Sequence, residues 1–183
     1  MIWACILPKS GRGKTVSRIK SAKKSPLEVY QTRLEEHLSI VSKAVDTMLT
    51  ELPRAINYPE LHSRMNFDLS MARSHLEQIE NLVAQRGIAA PFSLETVSSV
   101  IDNVSSLLHG GETNDVLTNA MAAAGYKAHQ IASFDALIAL AAHLGFEADL
   151  KTLSSMREEE YSSARWLERN MGAIVERYLT CQN

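Results

Sequence analysis

The sequence predicts an all-α protein: four long helices in a bundle, with one short helix on a crossover connection. Three observations predict it. From residue 26 onward, apolar residues recur every three or four positions, the period of one helix face. The breaking residues are sparse and widely spaced, at Pro53, Asn57-Tyr58-Pro59, Gly87 to Pro91, Gly110-Gly111 and Gly145. No stretch alternates with period two for long enough to make a strand.

The first helix, about 27–52, carries Leu34, Leu38, Val41, Val45, Met48 and Leu52. Their spacings of four and three make a seam for packing on partner helices. The second, about 59–86, starts on Pro59, a favoured first-turn residue. It places Met65, Leu69, Ala72, Leu76, Ile79 and Val83 on one stripe, and Gly87 ends it as a C-cap. The short helix follows Ser93 as N-cap, with Glu95 in its first turn, and runs to about His109. Its apolar face is Val97, Val100, Ile101, Val104 and Leu108. Thr113 or Asn114 is expected to cap the next helix, which reaches about Leu144. The alanines of that helix, Ala122–Ala124, Ala128, Ala132, Ala136, Ala139, Ala141 and Ala142, suit close helix approach. The last helix, about 147–180, shows Leu150, Leu153, Ala164, Leu167, Met171, Ile174 and Tyr178.

Composition bounds the function without naming it. The chain has 183 residues and 20.3 kDa, the size of one ordinary domain. Its 45% hydrophobic and 22% charged residues exclude a mainly disordered chain. No run of 18 apolar residues exists, which argues against a membrane span. Cys5 and Cys181 are the only cysteines, too few for a disulfide framework or a four-cysteine zinc site. A reducing, cytoplasmic setting follows as the expectation.

Charge divides the chain at residue 25. Residues 1–25 hold seven Lys and Arg and no acid, leaving 12 basic against 21 acidic residues in the body. The reading of this division is a basic flexible tail over 1–25 on an acidic helical domain over 26–183. For the tail, a solvated leader leads over two alternatives, an anion-binding arm for nucleic acid or an acidic partner, and a targeting segment. Met1–Leu7 is too short for a secretory core, and the charges follow it instead of preceding it. Gly11-Arg12-Gly13-Lys14-Thr15 resembles the end of a phosphate-binding loop, but Pro8 stands where that motif needs its first Gly.

The seam of the last helix is irregular. Positions 153, 157, 160 and 164 put Arg157 and Glu160 where apolar residues are expected. Lys127, four before Ile131 and seven before Phe134, borders the inward face of the alanine-rich helix. Polar residues on an inner stripe mark either a cofactor site, an ion pair or a frayed core edge, and the bland readings lead. His62, His75, His109 and His143 are dispersed and read as surface residues. Tyr161 and Trp166 flank the last seam, as core or as dimer contact. No Gly-x-Ser-x-Gly elbow occurs.

The stretch from Gln130 through Ala141 to Gly145 resembles the YciE/YciF-type ferritin-like family, whose helix reads approximately E-I-A-x-Y-G-T-L-x-x-L-A-E-Q-L-G. The match continues through Glu158-Glu159-Glu160 to Leu167. Pro59-Glu60-Leu61 and Leu76-Glu77-Gln78-Ile79-Glu80 also follow the family pattern, and the resemblance spans about residues 38–170. It implies a ferritin-like bundle, usually dimeric and linked to stress responses, able to carry a di-metal centre on inward Glu and His. Position by position, most ligands are replaced. The first-helix Glu falls on Val45, beside Asp46. The His-x-Glu-Glu-x-His region falls on Asp68, Ser70, Met71 and Arg73. The third group falls on Lys127, Ala128, His129 and Gln130. On the last helix Glu158, Glu159 and Glu160 survive, and the ligand after them falls on Ala164.

An empty carboxylate cage would repel itself, and apolar or cationic replacements relieve it. The expectation is that Glu159 or Glu160 pairs with Lys127 or Arg73 where relatives would hold metal. A residual metal site on Asp46, Asp68, His129, Glu159 and Glu160 is the competing reading. Two functions follow. The first is a metal-poor bundle, without cofactor, acting as a homodimer or through another protein partner, with an enzymatic role the less expected outcome. The alternative is a di-iron or di-manganese redox protein with an atypical site. Nucleic-acid binding enters only through the basic tail.

Overall fold

The computed structural model describes residues 24–88 and 115–181. Its elements are α1 (Pro26–Glu51), a 3-10 turn (Leu52–Ala55), α2 (Pro59–Gln85), α3 (Val116–Leu144) and α4 (Glu147–Cys181). Among the described residues every element is helical, as the periodicity predicts. The expected short helix over 93–109 and all of the basic tail but Lys24 and Ser25 lie outside the described residues.

Local chemistry sets the helix ends. Ser25 Oγ accepts from the Glu28 amide at 3.2 Å, and Glu28 Oε2 accepts from the Ser25 amide at 2.7 Å. This capping box, followed by Pro26, starts α1. α3 is capped by Asp115, not by Thr113 or Asn114: Asp115 Oδ1 accepts from the Leu117 amide at 3.1 Å. Asp115 also takes the Thr118 hydroxyl at 2.6 Å, which a residue one position earlier would not reach. α2 and α3 both end in Schellman turns on glycines at φ 62° and 71°, Gly87 and Gly145. Any side chain at either position is strained.

The first apolar cluster draws on all four helices: Tyr30 and Leu34, Ile79 and Leu82, Phe134 and Leu137, Leu153 and Met156. A second forms around Ala55, Leu61, Ala120, Leu167 and Ile174. Chain order through the two clusters gives the topology. α1 and α4 run from the first cluster to the second, whereas α2 and α3 run back. Each helix therefore packs antiparallel against its neighbours, and the connection from Ile88 to Asp115 joins opposite ends of the bundle.

Two stripes are corrected. The α4 seam runs through Leu153, Met156, Glu160, Ser163 and Leu167, so Arg157 and Ala164 stand beside it. Arg157 lies at the rim, bonded to Asp135 Oδ1 at 2.8 Å and Glu158 Oε1 at 2.6 Å. On α3 the buried residues are Ala120, Tyr126, Lys127, Gln130, Phe134, Leu137 and Ala141. The larger side chains fill the interior, and Ala128, Ala132, Ala136, Ala139 and Ala142 are exposed. Composition suggests close approach, but the rotation of α3 turns most of its alanines outward.

Candidate functional site

Between the two apolar clusters lies a polar layer. Buried within it are His37 of α1, His75 of α2, Lys127 and Gln130 of α3, and Glu160 and Ser163 of α4. Helical spacing delivers each. His37 stands three after Leu34 and four before Val41, and His75 three after Ala72 and four before Ile79. His75 is therefore not the surface residue expected of it; it is 1% exposed. The inward spacing was the signal for both histidines.

Lys127 is the centre. Its Nζ donates to Glu160 Oε2 at 2.8 Å and lies 4.0 Å from Asp68 Oδ2. Both partners of the Lys127–Glu160 pair are buried. Burial pushes the Glu160 carboxyl up, but Lys127 and His75 outweigh it and bring it down to about 2. His75 Nε2 is 2.7 Å from Glu159 Oε2, and its Nδ1 is 3.4 Å from Glu160 Oε1. Asp68 accepts the Ser163 hydroxyl at 2.9 Å and lies 2.8 Å from Arg64 Nη2. Gln130 donates to the Tyr126 hydroxyl, whose ionisation burial suppresses strongly. Thus α2, α3 and α4 are cross-linked by charge in the middle of the bundle.

The layer gathers Asp68, Lys127, Glu160 and, through His75, Glu159. It leaves three expected residues outside. Arg73 is exposed and pairs with no acid among the described residues, because His75, two positions on, takes the inward direction. Asp46 is exposed while its neighbour Val45 is buried. His129 is half-buried and faces Ser133 Oγ at 3.4 Å, and burial lowers its pKa. Tyr161 is exposed and lies 5.7 Å from the guanidiniums of Arg157 and Arg165, whereas Trp166 packs partly into the second cluster.

A family described as Domain of unknown function (DUF892) matches residues 25–180. The chain belongs to it. Two solved structures share the DUF892 chain's fold. One is a protein from Xanthomonas campestris pv. campestris: TM-score 0.72, 18% identity, 86% of this chain and 99% of that one. The other is the E. coli stress protein YciF: TM-score 0.69, 21% identity, 84% of this chain and 99% of that one. The resemblance read from Gln130 to Gly145 thus agrees with both sequence family and fold.

In this DUF892 chain the layer is asymmetric. α1 supplies no acid; its inward residues here are His37, Ile40, Val41, Ala44 and Val45. Met71 is buried on α2. Among the described residues no group of three or more His, Cys, Asp or Glu is set to hold a metal ion. The donors present surround an ammonium instead.

His37 has the least support. Both ring nitrogens are buried without a hydrogen-bond partner among the described residues, and Phe134 packs edge-on with ring centroids 4.4 Å apart. Burial lowers its pKa to about 3, with Glu160 opposing and His129 and His75 reinforcing. The unfolded chain then binds a proton that the folded one refuses between pH 6.5 and about 3. Stability is complete above pH 6.5 and falls on acidification, by up to about 1.4 kcal/mol per pH unit. His37→Leu is expected to flatten that slope. It is also expected to raise stability at pH 7 by about 1 kcal/mol, since it removes an unsatisfied polar group. Urea unfolding at several pH values measures both, and a less stable, equally pH-sensitive variant would refute the assignment.

Proposed function

We propose that this chain is a ferritin-like bundle whose interior cation is a lysine side chain, and that it works through protein association instead of metal chemistry. One observation carries the proposal: the Lys127 ammonium lies 2.8 Å from Glu160 and 4.0 Å from Asp68, among the acids that a metal would need. A dication there would have to displace a buried, hydrogen-bonded cation, and α1 offers Val45 in place of a carboxylate. Elemental analysis of untagged protein, soaked anaerobically with ferrous iron and desalted, tests this. The expected result is no stoichiometric metal. Two retained equivalents would establish the di-iron reading in its place.

The outer face of α3 supports association. Lys127 and Asp135 are its only Lys, Arg, Asp or Glu residues; Lys127 is buried and Asp135 pairs with Arg157. Met121 and the exposed alanines leave this helix apolar on its outer side too, the composition of a helix covered on all faces. A second copy is the proposed cover. Sedimentation velocity is expected to show a dimer, and Ala132→Glu to shift it to monomer. A wild-type monomer at micromolar concentration would end the idea. The similar E. coli protein is named a stress protein, and a stress role for this chain is extended from that name. Cysteine usage supports a reducing compartment; among the described residues no helix is long and apolar enough to cross a membrane.

A further inference from the structure

Arg64 differs from the other cations of the interior. Its guanidinium lies 4.8 Å from the Phe67 ring centroid and 5.6 Å from that of Trp166. Its Nε and Nη2 are buried, and neither makes a hydrogen bond among the described residues. Nη2 does approach Asp68 Oδ1 to 2.8 Å, but out of line with its N–H bonds. That carboxylate is already engaged by the Ser163 hydroxyl at 2.9 Å. Two nitrogens of a guanidinium whose side chain is 15% exposed are therefore buried with no aligned acceptor, a costly arrangement that calls for an explanation.

The same residue lines a cavity of about 100 Å³ between the polar layer and the second apolar cluster. Its apolar walls include Met48, Leu61, Met65, Ala120, Ala123 and Trp166. Lys127 and Asp68 also line it. Of the buried polar atoms lacking a partner among the described residues, only those of Arg64 belong to this lining. Largely apolar walls with a few convergent polar groups are the usual construction of a small-molecule site. The space takes several waters, or a short aliphatic molecule.

Charge selects the head group. Arg64 and Lys127 are balanced by Asp68 and Glu160, and Arg54 pairs with Glu51 at 2.6 Å. A bound carboxylate would add an anion beside Asp68 and Glu51, where every nearby cation already has an acid. An uncharged oxygen accepts from the guanidinium with no such cost.

We infer that this cavity binds a small aliphatic molecule bearing an uncharged carbonyl oxygen, such as a short ketone, ester or primary amide. The oxygen accepts from Arg64, and the chain lies against Met48, Met65 and Ala123.

The test is an NMR titration of the full chain with 2-pentanone and with pentanoate, following the Trp166 indole cross-peak. Trp3 is the only other tryptophan, so a Trp3→Phe variant identifies that peak. Saturable, one-site binding of 2-pentanone is expected, with pentanoate at least about tenfold weaker and Arg64→Met weakening the ketone by about tenfold or more. Ala123→Leu, which leaves Arg64 and Asp68 intact, is expected to abolish binding by filling the space; it decides the matter if Arg64→Met fails to fold. No saturation up to the solubility limit overturns the inference. So does equal affinity for pentanoate, or binding that survives Ala123→Leu.

Discussion

Lys127→Met is expected to destabilise the protein by about 3–5 kcal/mol, because it leaves the buried Glu160 without its cation. Lys127 and Glu160 are each 4% exposed in their side chains, so water cannot compensate for a lost partner. Glu160→Gln removes the charge from the other end and is expected to cost slightly less, since Asp68 and Glu159 remain as acids within reach of Lys127 and His75. The double variant Lys127→Met with Glu160→Leu is the informative one. It removes both charges and is expected to recover most of the loss, as buried pairs replaced by apolar residues of similar volume often do. Urea unfolding followed by circular dichroism, with unchanged m-values, measures all three. Single variants costing less than about 1 kcal/mol would show that the pair is solvated and that the layer does not hold the bundle together. The depressed Glu160 carboxyl adds a pH signature. Its contribution is complete above the unfolded carboxyl value of 4.5 and is lost as pH falls through about 2.

Asp149→Ala is expected to cost as much, about 3–5 kcal/mol, for a different structural reason. Asp149 is fully buried near the start of α4. It accepts from Arg86 Nε at 2.8 Å, Arg86 Nη2 at 2.5 Å and the Tyr30 hydroxyl at 2.7 Å. Arg86 follows the last turn of α2 and stacks over Phe146, 3.6 Å from its ring centroid, in the turn between α3 and α4. One carboxylate therefore ties α1, α2 and α4 together at the end of the bundle where α2 and α3 finish. Burial raises its carboxyl pKa, but the bonds from Arg86 and Tyr30 lower it by more, so this stability too is lost in acid. Tyr30→Phe leaves Asp149 both Arg86 bonds and is expected to cost only about 1 kcal/mol. Thermal unfolding separates the two variants, and equal losses would mean that Tyr30, not the ion pair, is the anchor.

The number, order and most ends of the long helices were legible because their causes are local. A capping box spans four residues, a Schellman turn six, and both are written in adjacent positions such as Ser25 to Glu28 and Ala141 to Phe146. The resemblance carried by residues 130–145 is local in the same sense. The candidate site was legible in part. The polar positions Lys127 and Glu160 interrupt apolar stripes, which places both near the interior. His37 and His75 sit on equally clear inward spacings, but a single histidine on an apolar stripe interrupts the pattern less visibly than a lysine or glutamate does.

Partner choice was not legible. Arg73 and His75 stand about 200° apart around α2, and both are plausible neighbours for an acid on α4 from spacing alone. The sequence by itself determined that there are long helices, where they begin and end, and that a lysine and a glutamate lie near their seams. Only the tertiary structure decided which way each helix is rotated. That rotation turns His75 inward and Arg73 outward, puts most of the α3 alanines on the surface, and brings Lys127 to Glu160 across 33 residues of chain. The physical reason is that a helix end is settled by bonds within a turn or two. A helix rotation is settled by the summed packing of all four faces against one another.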